Sequence, residues 1–159
     1  MAKMLICYYT RTKHTEHMAE AVAEGAKSVS PVQVDLRPIA KVKPSDLLGY
    51  DAIVMGSPTY YGSMAAELKQ LFDESVAFHG QLNGKVGGAF TSSANIGGGN
   101  ETTVLDILKA MLIHGMVVQG SPTGDHYGPV AIGDVDSRSR AQCVNLGKIV
   151  AQLAVKLHG

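Results

Sequence analysis

A chain of 159 residues is long enough for one full hydrophobic core and too short for two nucleotide-binding domains. Its 14 basic residues balance its 14 acidic ones and 45% of its residues are hydrophobic, so no basic face marks it as a nucleic-acid binder. No apolar run approaches the roughly 20 residues of a membrane span, and the N-terminus lacks the pattern of a signal peptide, which points to the cytoplasm. The chain opens with MLICYY at 4–9, a run of strand length. A loop dense in hydroxyls follows at 10–15, and then Met18, Ala19, Val22, Ala23 and Ala26 recur at helical spacing. Strand, loop and helix in that order form the front edge of a nucleotide-binding α/β domain. The loop has neither the glycines of a dinucleotide fingerprint nor the Gly-Lys-Ser/Thr ending of a P-loop. What it offers instead is T-x-T-x-x-T, with Thr10, Thr12 and Thr15 placed where a helix N-terminus already favours an anion. Three hydroxyls and several amides can wrap a terminal phosphate.

Further along, VQVDL at 32–36 alternates as a second strand, and residues 41–48 form a connector with one helical turn. DAIVMG at 51–56 is a third strand, nearly all apolar, as expected where helices cover both faces. It delivers the loop SPTYYGS at 57–63, followed by a helix with Ala65, Leu68, Leu71, Phe72 and Val76 at helical spacing. A fourth strand at 85–91 leads into SSANIGGGNE at 92–101, whose three adjacent glycines need unusual dihedrals or close approach to something bound. Asn100 is positioned to cap the next helix, which carries Val104, Ile107, Leu108, Met111 and Leu112 and stops at His114 and Gly115. A fifth strand is predicted at 116–119, then a long segment with Gly and Pro at 120–136, and a last helix capped by Ser137 with Cys143, Leu146, Gly147, Val150, Ala154 and Leu157 on one face. Cys7 and Cys143 have no C-x-x-C or His-rich neighbourhood, so both read as small core residues in a reducing compartment and no metal site is expected.

Five strands alternating with helices predict a doubly wound parallel sheet, because right-handed crossovers leave few other arrangements. The informative loops follow strands 1, 3 and 4, and ligands in such sheets bind where neighbouring connections diverge to opposite faces. In the order 2-1-3-4-5 that crevice would have residues 10–15 on one side and 58–63 on the other, closed by 92–99.

These motifs carry a family likeness. The T-x-T-x-x-T loop resembles the phosphate loop of flavodoxins, while GSPTYYG at 56–62, FTSSANIGGGNETT at 90–103, IHGM at 113–116 and VKLHG at 155–159 are similar to motifs of the tryptophan-repressor-binding-protein (WrbA) branch of that superfamily. The likeness spans nearly the whole chain. It implies the five-stranded 2-1-3-4-5 flavodoxin-like fold and an FMN-dependent NAD(P)H:quinone oxidoreductase that works as a dimer or tetramer, with NAD(P)H as a transient co-substrate and no nucleic-acid partner. This chain is short for that branch and lacks its usual insertions, including one before the Tyr-Gly pair matched by Tyr127 and Gly128.

The resemblance gives each residue a role. Thr10, Thr12 and Thr15 would hydrogen-bond the FMN phosphate, with Arg11, Lys13 and His14 adding diffuse positive potential. Pro58, Thr59, Tyr60, Tyr61 and Gly62 would border the isoalloxazine ring, the tyrosines by their flat faces and Gly62 by close backbone approach. Ser92, Ser93, Ala94, Asn95, Gly97, Gly98 and Gly99 would turn amides toward its pyrimidine end, where donors stabilise the negative charge of the reduced ring. The resemblance also places His114 over the flavin, to guide a quinone, and Tyr127 at its border, from a neighbouring subunit. A lone histidine at a helix C-terminus is otherwise a favourable cap charge.

With no second dinucleotide domain, NAD(P)H and the quinone would use the exposed ring in turn, a ping-pong cycle of two-electron steps. The rival reading is a flavodoxin serving as a low-potential electron carrier to protein partners. Such carriers are typically strongly acidic, whereas the charges here balance. A phospho-receiver domain would need acidic residues ending strands 1 and 3, and YYT at 8–10 and MGS at 55–57 supply none. A flavin-free interaction module is a third alternative.

Overall fold

Strand β1 (Ala2–Tyr8) lies inside the sheet, and its side chains divide by parity. Met4, Ile6 and Tyr8 enter one buried cluster, while Leu5 and Cys7 enter another on the opposite face. The computed structural model describes all 159 residues. β2 (Val32–Pro38) and β3 (Ala52–Pro58) flank β1 in parallel, and β4 (Val86–Ser93) continues beyond β3. With β5 (Val117–Val118) beyond β4, the order β2-β1-β3-β4-β5 is the flavodoxin-like arrangement that the family resemblance implied.

The helices α1 (His14–Lys27) and α4 (Ser137–His158) cover one face, and α2 (Ala66–Glu74) and α3 (Asn100–Ile113) cover the other. Between β2 and β3 the chain makes two short 3-10 turns, Ile39–Lys41 and Pro44–Gly49. Phe90 is wholly buried because its register partner across β3 is Gly56; a Cβ there would lie 2.1 Å from the Phe90 ring. Both cysteines are free and buried, and burial pushes each thiol up to about 12. No helix is long and apolar enough to cross a membrane.

The fifth strand position differs from expectation. Only Val117–Val118 (β5) pairs with the start of β4. The chain then leaves the sheet and returns as a sixth strand, β6 (Val130–Ile132), beside Thr91, Ser92 and Ser93. Two glycines and a proline at 120–124 break the pairing, and the excursion is fastened to α4. Asp125 accepts from the Val130 amide at 2.9 Å and from Arg138 at 2.8 Å, and its own amide donates to Gln142 at 3.1 Å.

Two helix starts also move by one residue. Asp136, rather than Ser137, caps α4, accepting from the Ser139 amide at 2.7 Å while Ser139 Oγ accepts from the Asp136 amide at 3.0 Å. Gly99, with φ of 97°, stands before α3 where Asn100 was expected. Val76 and Leu112, placed on the apolar faces by periodicity, are exposed, because α2 has already ended at Glu74 and the two residues of β5 leave the end of α3 bare.

Candidate functional site

The carboxyl ends of β1, β3 and β4 open onto a cleft of ≈ 560 Å³ lined by Thr10, Arg11, Thr12, His14 and Thr15, by Pro58, Thr59 and Tyr60, by Ser92, Ser93 and Ala94, and by Gly133. At its base is the start of α1. Lys13 turns the chain with φ of 72°, and no side chain caps the helix, so its first amides stay available to a ligand. An uncapped N-terminus facing hydroxyls and two basic side chains is a setting for an anion.

Loop and strand are tied by a chain of hydroxyls. Thr15, 1% exposed, has its Oγ1 2.9 Å from Ser92 Oγ, which joins the phosphate-loop candidate to the end of β4. Thr91 Oγ1 donates to the Ser57 carbonyl at 2.6 Å and lies 3.0 Å from Thr59 Oγ1, while the Thr59 amide donates to the Ser92 carbonyl at 2.7 Å. Ser57 Oγ accepts the Ala65 amide at 2.8 Å, fixing where α2 begins.

The tyrosine loop is a tight turn. Tyr60 and Ser63 exchange backbone bonds of 2.9 and 3.1 Å, and both central residues, Tyr61 at φ 50° and Gly62 at φ 77°, are left-handed, as such a turn requires. Tyr61 is thereby held fully exposed at the tip. Ser63 Oγ donates to Asp106 at 2.7 Å, and Lys109, then Ser63, hold that carboxyl below its usual range. Thr102 Oγ1 donates to the Gly62 carbonyl at 2.8 Å. A Cβ on Gly99 would lie 2.6 Å from the Gly62 Cα, so the glycine loop and the tyrosine turn lie against each other only because Gly99 has none. Tyr9 meets Tyr60 edge to face at 6.4 Å between centroids.

Of the predicted residues, Lys13, Tyr61, Gly62, Asn95, Gly97, Gly98 and Gly99 do not line the cleft itself; Tyr61, Gly62 and the glycine loop stand at its upper border. Tyr127, half exposed, lies in the 119–129 excursion against α4. His114 is remote. It ends α3, a helix of 14 residues and so roughly 21 Å from the Asn100 end, at the opposite edge of the sheet. Ser75 Oγ already donates to the Phe72 carbonyl at 2.6 Å, so His114 Nε2, 2.7 Å away, must donate to Ser75. Nδ1 is left as a buried acceptor with no partner. Burial, and then the charge of His79, lower the His114 pKa and favour this neutral form. Sequence reasoning missed Gly133; its signal was a Gly-Asp pair between a short apolar run and a helix cap.

The family model for NADPH-dependent FMN reductase matches residues 4–124. The chain belongs to that family. Among curated relatives of this family member is an NAD(P)H dehydrogenase (quinone) of Rhodopseudomonas palustris (strain TIE-1), 36% identical, with all of both chains covered. Another of the same description, from Chromohalobacter salexigens, is 34% identical with the same coverage. The alignment to the first spans 200 positions against the 159 residues here, so about 41 of its positions have no counterpart in this chain. Among solved structures, a WrbA-like flavodoxin from Agrobacterium tumefaciens superposes with a TM-score of 0.83 at 27% identity over 99% of each chain. An archaeal flavodoxin gives 0.79 at 27%, covering 96% of this chain and 99% of its own.

Proposed function

We propose that this protein, an FMN-dependent oxidoreductase of the family just established, carries two electrons from NAD(P)H to a quinone by admitting the two substrates in turn. The observation that carries the reading is the meeting, in one cleft, of three threonine hydroxyls and uncapped helix amides with a turn that brings Tyr60 into the lining. The donor set fits FMN end to end. Thr10, Thr12 and Thr15 with Arg11 and His14 would hold the phosphate, Tyr60, Tyr61 and Gly62 would border the ring, and the loop from Ser93 to Gly99 would offer backbone donors to its polar edge. When bound, FMN supplies a ring that takes a hydride and passes two electrons on. The protein would hold it by the phosphate, flank it with the tyrosine turn, and stabilise negative charge with backbone donors. A cytoplasmic setting suits the two free buried thiols.

In anaerobic stopped-flow, NADH or NADPH should bleach the flavin absorbance and benzoquinone should restore it, with parallel lines in double-reciprocal plots of steady-state rates. Intersecting lines would remove the alternating cycle. Inertness to both dinucleotides would favour an electron carrier, a reading that the likeness to an archaeal flavodoxin keeps in play.

The same reading includes a homo-oligomer. Val76, Leu112 and Ile113 are exposed beside a hollow of ≈ 410 Å³ that also contains His79 and His114. Apolar side chains around an unsatisfied acceptor suit a second copy of the chain, which would bring His114 to a neighbour's ring. Ile113→Glu should convert the wild-type dimer or tetramer to a monomer in light scattering, because a charge buried unpaired in an apolar contact costs far more than a factor of ten in affinity, with FMN still bound and quinone turnover at least tenfold lower. A wild-type protein that is monomeric at micromolar concentration would end this part of the proposal.

A further inference from the structure

The turn between β6 and α4 reaches the cleft from a side that carries none of the recognised motifs. Gly133 lines the cleft beside Ser93 and Ala94, and its amide donates to the Ser93 carbonyl at 2.8 Å. One residue further, Asp134 Oδ1 accepts the Val135 amide at 2.7 Å and lies 2.9 Å from His17 Nδ1. His17 belongs to α1, the helix whose uncapped start forms the base of the cleft, so this pair joins that helix directly to the turn.

The charges explain why such a link matters. The Asp134 carboxyl is held below its usual range first by His17, then by the Val135 amide, and the positive field of His14 adds to it. His14 lines the cleft, so Asp134 lies within electrostatic reach of whatever His14 meets. A free carboxylate there would oppose a phosphate dianion. His17 is raised chiefly by Asp134, with Glu20 and Glu16 adding, and Glu24 and Arg140, paired with one another, border a separate hollow that also takes in His17 and Asp134.

Resting on the FMN reading, we propose that His17 is a positioning residue of the cleft: it holds and neutralises the Asp134 carboxylate, making the turn at Gly133 a fourth wall around the phosphate-bearing end of the ligand. The pair is half exposed, with side chains 42% and 51% accessible, so its effect on folding is small. Its effect on the phosphate is electrostatic. FMN should feel it and riboflavin, which lacks the phosphate, should not.

Flavin fluorescence titrations of the full chain at about pH 6.5, above the phosphate's second ionisation and where a histidine raised by a carboxylate still carries its proton, test this. His17→Gln should weaken FMN roughly fivefold at low ionic strength, by an amount that shrinks toward zero at about 0.5 M salt, and leave riboflavin unchanged. His17→Gln/Asp134→Asn should return FMN affinity to within about twofold of wild type, because the opposing charge is gone. Equal weakening of both flavins would make His17 a structural support only, and an unchanged FMN affinity, or a double variant as weak as the single one, would overturn the proposal. Wild-type protein that fails to take up FMN would defeat the reading of the cleft itself, an outcome distinct from these.

Discussion

Replacing Thr10 and Thr12 together by valine should raise the FMN dissociation constant about a hundredfold while leaving riboflavin binding within a factor of about two. Each hydroxyl bond to a charged group is worth about 1.5 kcal/mol at the low end of its range, and about 3 kcal/mol for the pair corresponds to two factors of ten. Both threonines are at least partly accessible and line the cleft, so valine leaves the fold alone. Thr15 is a poorer probe. It is buried against Ser92, and valine there would strand a buried serine hydroxyl at a cost of roughly 1–3 kcal/mol, mixing stability with binding. Paired titrations with FMN and riboflavin check the result. Equal losses for both flavins, or no loss for either, would remove the phosphate from this loop.

The second large effect concerns packing. Helices α1 and α4 approach through reciprocal glycines: a Cβ on Gly25 would lie 2.0 Å from the Val144 carbonyl oxygen, and one on Gly147 would lie 2.0 Å from the Val22 carbonyl oxygen. Helix propensity alone makes glycine to alanine favourable by roughly 1 kcal/mol. Here the obstacle is backbone, which cannot rotate aside, so overpacking of about 3 kcal/mol or more wins. Gly25→Ala or Gly147→Ala should therefore lower the melting temperature by about 4–8 °C, after the propensity gain is subtracted. Gly49→Ala is the control, since nothing lies within 4 Å of its Cβ, and it should melt at the wild-type temperature or slightly above. Because α1 begins at the cleft, the two damaging variants should also bind FMN more weakly. Thermal melts in which all three alanine variants behave alike would show that the helix contact yields easily.

Much of the fold was legible because both periodicities were clean. Met18, Ala19, Val22, Ala23 and Ala26 are all buried as their spacing required, and the apolar runs of β1, β3 and β4 became the central strands. What failed was local and depended on partners distant in sequence. A two-residue β5 and a returning β6 cannot be told from one strand and a loop, because the decision rests on Arg138 and Gln142 gripping Asp125 from a helix not yet reached. Capping shifted by one residue at Asp136 for a similar reason, as aspartate and serine are comparable caps and only the geometry at Ser139 chose between them.

The candidate site was legible where one loop supplied several cleft-lining groups close together, as in 10–15, and illegible where a single residue arrived from elsewhere. Gly133 is of the second kind. His114 shows the opposite limit: the motif was recognisable, but a helix length separates it from the cleft in its own chain. Sequence can mark a residue without saying how far from a site the fold will carry it.

The broken border strand has a consequence for solubility. A two-residue and a three-residue segment, separated by the 119–129 excursion, present no continuous row of amides and carbonyls on which a stranger's backbone could zip. On the far border, β2 ends in Pro38 and carries the Asp35–Arg37 ion pair, charges that resist the same kind of annealing. An open sheet normally has two adhesive margins, and in this molecule both are blunted, so any self-association is steered to side-chain surfaces rather than to runaway strand stacking.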